Sequence, residues 1–530
     1  MRVLLVNPFY PISETPSPPL GLAYLASALK SAGMMVKILD LVVHPYRRSL
    51  LENLLKSVEP QMVGITAVTM NFDNAVEVVR SIKLLNPKIL TVMGGPHVTF
   101  CAEDTLKEHP ELDIIVKGEG ERTIVELSRA AGNGNAFEDI KGIVYRDGSQ
   151  IRHTPERPPI GDLDRLPLPA RELLPLGRYR TLGMPVSMIT SRGCPFQCIF
   201  CVGRKMVGAR VRYRDPRSVV DEMTLLSRLG FHQINIADDL FTASPKHCLA
   251  VCDEILIRGL KLKWTSFARV DTVSKKVLSR MKAAGCTGVS FGIETADPDI
   301  LKTVKKGITL KQVKEAVAMC RDTGVTPFAS FVLGLPGETE QTLQKTVAFA
   351  EALEAQGVAY GYHLLAPFPG TAVREKSEAY GLTILTNDWS QYHANRAIVE
   401  TEGVTAARLD DIVIRWKARY DAYLGDIERR LEKGDISSEE AAPLINLERT
   451  VLLYDLMMEG LLESQCNGEH EALNGAVASD RLERLIDTVQ KRLGTPAEKT
   501  RDALTWAMEQ GHIHWVVNEG SEGWGWRNTI

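Results

Sequence analysis

The chain has 530 residues, a net charge of −3, 44% hydrophobic and 24% charged residues, a composition ordinary for a globular protein. The length predicts about three domains at about 150 residues each. The charge supplies no general pull toward nucleic acid or an anionic membrane, and no apolar run reaches the length of a bilayer span. The nine cysteines are scattered and odd in number, which argues against a disulfide framework and for a reducing, cytoplasmic setting.

Residues 1–135 alternate strand-like runs (2–6, 36–39, 62–65, 89–93 and 114–116) with helix-like runs between them. Such alternation predicts a doubly wound parallel sheet. Ligands of these sheets sit beyond the carboxyl ends of the strands. Hydroxyls and glycines gather there: Thr66 and Thr69 after the third run, Gly94-Gly95-Pro96-His97 after the fourth, and Gly118-Glu119-Gly120-Glu121 after the fifth.

Residues 136–185 change character. Asp147-Gly148 is a hairpin signal, and six prolines crowd between Pro155 and Pro175. This stretch reads as an extended connector.

Residues 186–400 form a second strand–helix series, with runs at 186–190, 233–237, 263–268, 288–292, 327–333 and 361–365. Six such units are expected to close wholly or partly into a barrel, with its chemistry at the carboxyl ends of the strands. The first run leads into Cys194-Pro195-Phe196-Gln197-Cys198-Ile199-Phe200-Cys201. Three thiolates at this spacing are one fewer than usually hold an iron–sulfur cluster. A structural zinc site usually takes four ligands, and no second cysteine pair stands nearby to complete one.

This C-x3-C-x2-C loop after a strand resembles the radical S-adenosylmethionine (SAM) enzymes. The resemblance implies a 4Fe-4S cluster on Cys194, Cys198 and Cys201, with SAM on the remaining iron and cleaved to a 5′-deoxyadenosyl radical. The later strand ends would then hold SAM. Asp238 or Asp239 would receive its amino group, or act as a helix cap. Arg269 would pair with its carboxylate, or form an ordinary surface ion pair. Ser290 and Glu294 would reach the ribose, or Glu294 would orient its loop. Phe200, Gly334 and Pro336 would border the adenosyl group.

Residues 1–135 resemble the cobalamin-binding domain of one large radical SAM class, through Pro18–Ala26, the Thr66/Thr69 loop, Gly94-Gly95-Pro96-His97 and Gly118-Glu119-Gly120-Glu121. By resemblance, Thr66, Thr69, Gly94 and Gly95 would line the nucleotide tail, with Gly118 and Glu119 in the same cradle. Met70 would face the lower side of cobalt. The loop at 7–15 carries no histidine. His97 is a possible substitute ligand, although its Gly-Gly-Pro-His turn favours a packing role.

The fold class is therefore expected to be α/β: by resemblance a flavodoxin/Rossmann-like cobalamin-binding domain and a partial (β/α)6 TIM-like radical SAM barrel, followed by an all-helical domain over residues 401–530. In that last domain Leu409, Ile412, Val413, Trp416, Tyr420 and Tyr423 recur at helical spacing and read as a core stripe. Cys248 and Cys252 read as buried, inert thiols, Cys466 is one of the cysteines outside the motif, and the tryptophans of the tail (520–527) would dock it or leave it loose. The implied chemistry is hydrogen abstraction from a substrate carbon followed by methyl transfer from methylcobalamin. The alternatives are a non-methylating cyclisation or rearrangement and a redox sensor. The implied partners are a small-molecule, peptide or lipid substrate and a reductant such as flavodoxin or ferredoxin, with no nucleic acid and no membrane span.

Overall fold

A computed structural model describes residues 1–10, 16–464, 478–518 and 521–527. Residues 11–15 of the first loop, Cys466 and Gly520 lie outside the described residues.

The first sheet begins with five parallel strands: β1 (Arg2–Asn7), β2 (Met35–Asp40), β3 (Met62–Thr66), β4 (Leu90–Gly94) and β5 (Ile114–Val116). Their spatial order is β2-β1-β3-β4-β5, so the order reverses between β1 and β3. Val3, Leu4, Leu5 and Val6 are all fully buried, as expected for a central strand with helices on both faces. The Asp147-Gly148 turn joins β6 (Ile143–Asp147) to β7 (Gln150–His153), and β6 pairs antiparallel with β5. The hairpin within the expected connector therefore extends the first sheet to seven strands. The turn signal was local, whereas its pairing partner lies far back in the chain.

The second sheet holds six parallel strands in the order β15-β14-β13-β12-β11-β8. These are β8 (Val186–Met188), β11 (Gln233–Ile236), β12 (Lys263–Ala268), β13 (Cys286–Glu294), β14 (Thr326–Leu333) and β15 (Ala359–Leu364). β8 and β15 are the two edges, which makes the barrel partial. Between β8 and β11 a short antiparallel ribbon, β9 (Ser191–Arg192) and β10 (Arg212–Tyr213), closes the base of the cysteine loop. Trp264 on β12 is fully buried, and its indole donates to the Ala284 carbonyl at 2.8 Å. Cys248, Cys252 and Cys286 lie in the same core.

After the barrel, β16 (Leu382–Ile384) and β17 (Val399–Thr401) form a small ladder. Helices Ala406–Glu432, Ser438–Met458, Leu461–Ser464, Ala478–Leu493 and Ala497–Glu509 follow. The helical expectation holds with one addition: β18 (Ile513–Asn518) and β19 (Ser521–Trp526) pair antiparallel. Trp524 and Trp526 are buried with Leu453, Leu456 and Val489, and with Val42 and Val43 of the first domain. The tail is thus docked by its tryptophans. The core stripe is half correct. Leu409 and Ile412 are buried, but Tyr420 and Tyr423 are each 52% exposed, because only the first half of their helix lies along the barrel.

Replacing Trp264 by Ala leaves a cavity in the barrel core and removes an indole donor. Equilibrium denaturant unfolding should show a loss of about 3–5 kcal/mol, and a loss under about 1 kcal/mol would contradict this packing.

Candidate active site

The cysteine loop is fixed from behind by two consecutive acids at the end of β11. Asp238 is buried and accepts from the Thr190 amide (2.6 Å), the Thr190 hydroxyl (2.6 Å) and the Ser191 hydroxyl (2.7 Å). Burial pushes its carboxyl above the usual range, and these hydrogen bonds oppose the push. Asp238 therefore ties β11 to the end of β8. Asp239 is exposed and accepts from the Gly193 amide at 2.9 Å. Gly193 has φ +116°, and a Cβ there would stand 2.4 Å from the Arg210 carbonyl oxygen. Only glycine allows the loop to turn so close to the returning strand.

Beyond that turn lie Cys194 and Cys198, both half-buried, and Cys201, exposed. Burial raises the Cys198 and Cys201 thiols; Cys194 adds to the rise in both, and Cys198 adds to that of Cys201, so the three sulfurs share one electrostatic neighbourhood. Arg269 and Lys306 oppose the rise at Cys198. The Gly203 amide donates to the Cys201 sulfur at 3.3 Å. Among the described residues no three His, Cys, Asp or Glu side chains converge closely enough to hold one metal ion. Three thiols on one loop are a donor set suited to a 4Fe-4S cluster with one iron left for another ligand, and one short of the four ligands of a structural zinc.

The strand ends around the loop divide the candidate SAM residues. The carboxylate of Asp239 contributes to the Cys201 environment and remains accessible, whereas that of Asp238 is engaged inside the fold. Arg269 is buried and gives its fork to Asp271, at 2.9 Å for each bond, and donates to the Lys306 carbonyl at 2.7 Å. Its guanidinium carbon lies 3.5 Å from the ring centroid of Phe196, inside the cysteine loop. Arg269 thus braces the loop, and its ion pair with Asp271 is sequestered instead of lying on the surface.

Glu294 ends β13 at a register shift, with φ +70°. Its buried carboxylate pairs with Lys306. Gly292 makes room for the pair, since a Cβ there would meet Glu294 Oε1 at 2.5 Å and Lys306 Nζ at 2.9 Å. Ser290 is half-buried, and Gly334 and Pro336 are buried. Phe200 packs against the apolar cluster that includes Ile199 and Leu335. Lys306 was not legible beforehand, since Lys305-Lys306-Gly307 reads as a surface turn.

A cavity of about 370 Å³ opens where the two sheets meet. Its first-domain wall includes Leu5, Leu22, Leu25, Gly64, Val92 and Ile124. This is the crevice at the reversal of strand order, where ligands of open α/β sheets are expected. Five of the seven candidate cobalamin residues line it: Thr66, Gly94, Gly95, Gly118 and Glu119. Ser191, Arg192, Met206, Val207 and Asp239 line it from the second domain. A Cβ at Gly21 or Gly118 would meet nothing within 4 Å. Glu121 also lines the cavity, and its buried Oε2 has no hydrogen-bond partner. An apolar crevice with glycine walls and one unpartnered acceptor fits a flat base with amide N–H groups nearby, as cobalamin carries.

Thr69 and Met70 do not line the cavity. Thr69 is buried, 3.3 Å from His97 Nδ1. His97 lies between Phe72 and Trp389, with ring centroids 4.3 and 4.8 Å away. Burial, with help from Arg374, lowers its pKa to about 4. His97 is therefore a neutral packing residue. The Trp389–Gln391 turn that covers it secures the barrel to the Thr69–Asn71 turn of the first domain.

A doubly wound sheet and a partial barrel that share one cavity, beside a loop of three cysteines, define a cobalamin-dependent radical SAM enzyme. Residues 13–128 match the B12 binding domain family and residues 188–350 the Radical SAM superfamily. The chain is 36% identical over 421 residues to an uncharacterized methyltransferase of Pyrococcus horikoshii, covering 78% of this chain and 91% of that protein. It is 34% identical over 368 residues to the anaerobic magnesium-protoporphyrin IX monomethyl ester cyclase of Rubrivivax gelatinosus, covering 66% of this chain and 65% of the cyclase. The solved structure of OxsB, a cobalamin-dependent S-adenosylmethionine radical enzyme with aqua-cobalamin and SAM bound, shares the fold at TM-score 0.68 and 19% identity, over 96% of this chain and 81% of that one. The chain belongs to the B12-binding radical SAM family.

Behind the turn at residues 334–336 lies Glu338, 1% exposed, accepting from the Gly334 and Leu335 amides. Its Oε1 has no partner, and burial raises its pKa to about 8. The unfolded chain releases this proton near the ordinary value of 4.5, so stability falls as pH rises from about 4.5 to about 8. Glu338→Gln should remove that component. Between pH 5 and pH 8 the wild type should lose more thermal stability than the variant, and parallel curves would refute the buried proton.

Proposed function

We propose that the protein is a C-methyltransferase acting on an unactivated carbon of an organic substrate. One observation carries this reading: the carboxyl ends of both sheets border a single cavity, with Thr66, Gly94 and Gly118 on one side and Ser191, Arg192 and Asp239 on the other. Such an arrangement suits two cofactors that must reach the same carbon. The similarity to a protein named as a methyltransferase over most of both chains points the same way.

In this reading Cys194, Cys198 and Cys201 hold the cluster, and Asp239 takes the amino group of SAM as a charge-assisted acceptor. The cavity between helices Leu20–Ser31 and Glu121–Asn133 takes the cobalamin tail, with Glu121 accepting an amide. Bound there, the cluster and SAM supply an oxidant for a C–H bond, and cobalamin supplies a methyl group to the carbon so exposed. The protein residues hold these groups in register and exclude water. Ser290 borders the ribose, and Phe200, Gly334 and Pro336 border the adenosyl group. The site works in a reducing, cytoplasmic setting, with an electron donor such as a flavodoxin or ferredoxin.

The similarity to the cyclase favours a second reading, a radical rearrangement or ring closure without methyl transfer. The reconstituted protein, given cobalamin, dithionite and methyl-labelled SAM, should be incubated anaerobically with the small-molecule extract of a strain lacking it. Methyl transfer predicts one labelled product together with 5′-deoxyadenosine and S-adenosylhomocysteine, with the product and 5′-deoxyadenosine abolished by Cys198→Ala. A product with 5′-deoxyadenosine and no S-adenosylhomocysteine would overturn methyl transfer in favour of the second reading.

A further inference from the structure

Arg192 and Arg212 stand directly opposite each other on the β9–β10 ribbon. Like charges in that position repel, and both side chains are nearly buried, at 11% and 7% exposure. All three cysteines lie on the loop that this ribbon closes. Nothing within the ribbon compensates the two charges; the compensation comes from the first domain. Glu119, with 6% side-chain exposure, lies 3.3 Å from Arg192 and 2.9 Å from Arg212. Its other oxygen accepts from Arg212 at 3.0 Å and from the Ile160 amide at 2.6 Å. Glu121 accepts from Arg192 at 2.6 Å. The Arg192 guanidinium carbon also lies 5.2 Å from the ring centroid of Tyr24, on the first helix.

Glu119 thus has three partners already through four contacts, one of them with a backbone amide of the segment between the domains. A buried ion network contributes little net stability, because desolvation offsets much of the attraction. It does penalise every arrangement that leaves one charge bare. The network is therefore suited to setting geometry more than to adding stability. Its two ends are informative: the Gly118–Glu121 loop borders the cavity, and Arg192 precedes Cys194 by two residues.

We propose that Glu119, Arg192 and Arg212, with Glu121, form an interdomain clamp that sets the spacing between the cobalamin cradle and the cysteine loop. Glu119 is then a positioning residue for the pair of cofactors and not itself a ligand of cobalamin. The structural part stands without cofactors, and its consequence for their spacing rests on the cobalamin reading above.

Two arms test it, with Glu119→Gln from one side of the clamp and Arg212→Met from the other. In hydrogen exchange on the chain without added cofactors, each variant should raise exchange in both 118–124 and 189–194 and leave 263–268 unchanged. Exchange raised only beside the substituted residue would overturn the clamp. In the second arm the protein carries cob(II)alamin and a reduced cluster, and the dipolar interaction between the two spins is read by electron paramagnetic resonance. The wild type should give one defined interaction. Each variant should give a broadened or weakened one at unchanged cobalamin and iron content. An unchanged interaction would overturn the positioning role. Loss of cobalamin from Glu119→Gln alone, with Arg212→Met retaining it, would make Glu119 a cobalamin contact instead. Failure of the wild type to retain cobalamin would refute the cobalamin reading and leave the exchange arm to decide the clamp.

Discussion

The geometry of the cysteine loop depends on one buried carboxylate. Asp238 gathers the Thr190 amide and the hydroxyls of Thr190 and Ser191, and so fixes where the chain leaves β8. An ionised carboxylate in that position is costly to bury without donors, and the donors come from the segment that must be fixed. Asp239, next in sequence, points its chemistry the other way. It holds the Gly193 amide and still borders the cavity. Two adjacent acids at one strand end thus divide the work, one holding the scaffold and the other bordering the cavity.

The interdomain contacts continue this logic. On one side the arginine ribbon meets Glu119 and Glu121. On another, Trp389 covers His97, and Arg374 lies 4.5 Å from the Trp389 ring centroid. At the carboxyl ends of β1 and β2, Asn7 and Tyr179 hold the buried Asp40 carboxylate at 2.8 and 2.6 Å. Tyr179 belongs to the segment that leads into the barrel and packs with the helical domain. These polar anchors are sequestered and directional, so they fix relative placement more strongly than an apolar seam of the same size would. A reaction that needs two cofactors at one carbon requires such placement.

Much of this was legible in the sequence. The strand runs of both sheets and the C-x3-C-x2-C loop carry local signals, and the post-strand residues follow from the rule that parallel sheets bind at their carboxyl ends. What escaped notice was non-local. The hairpin at 143–153 was recognisable, but its pairing with β5 was not. Glu119 reads as part of a ligand loop until its partners, 73 and 93 residues away, are placed beside it. Lys306 reads as surface because its counter-ion, Glu294, reaches it only after a turn through positive φ. Tyr420 and Tyr423 follow the helical period, but periodicity alone does not show where the neighbouring surface ends.

The central claim is that both sheets open onto one shared cofactor space. A crystal structure of the anaerobically reconstituted protein with cobalamin and SAM tests it most directly. The account predicts the cobalamin base between helices Leu20–Ser31 and Glu121–Asn133, an amide N–H on Glu121 Oε2, and SAM beside Asp239 on a cluster held by Cys194, Cys198 and Cys201. Cobalamin bound elsewhere, or a cluster and corrin separated by a closed wall of protein, would contradict it.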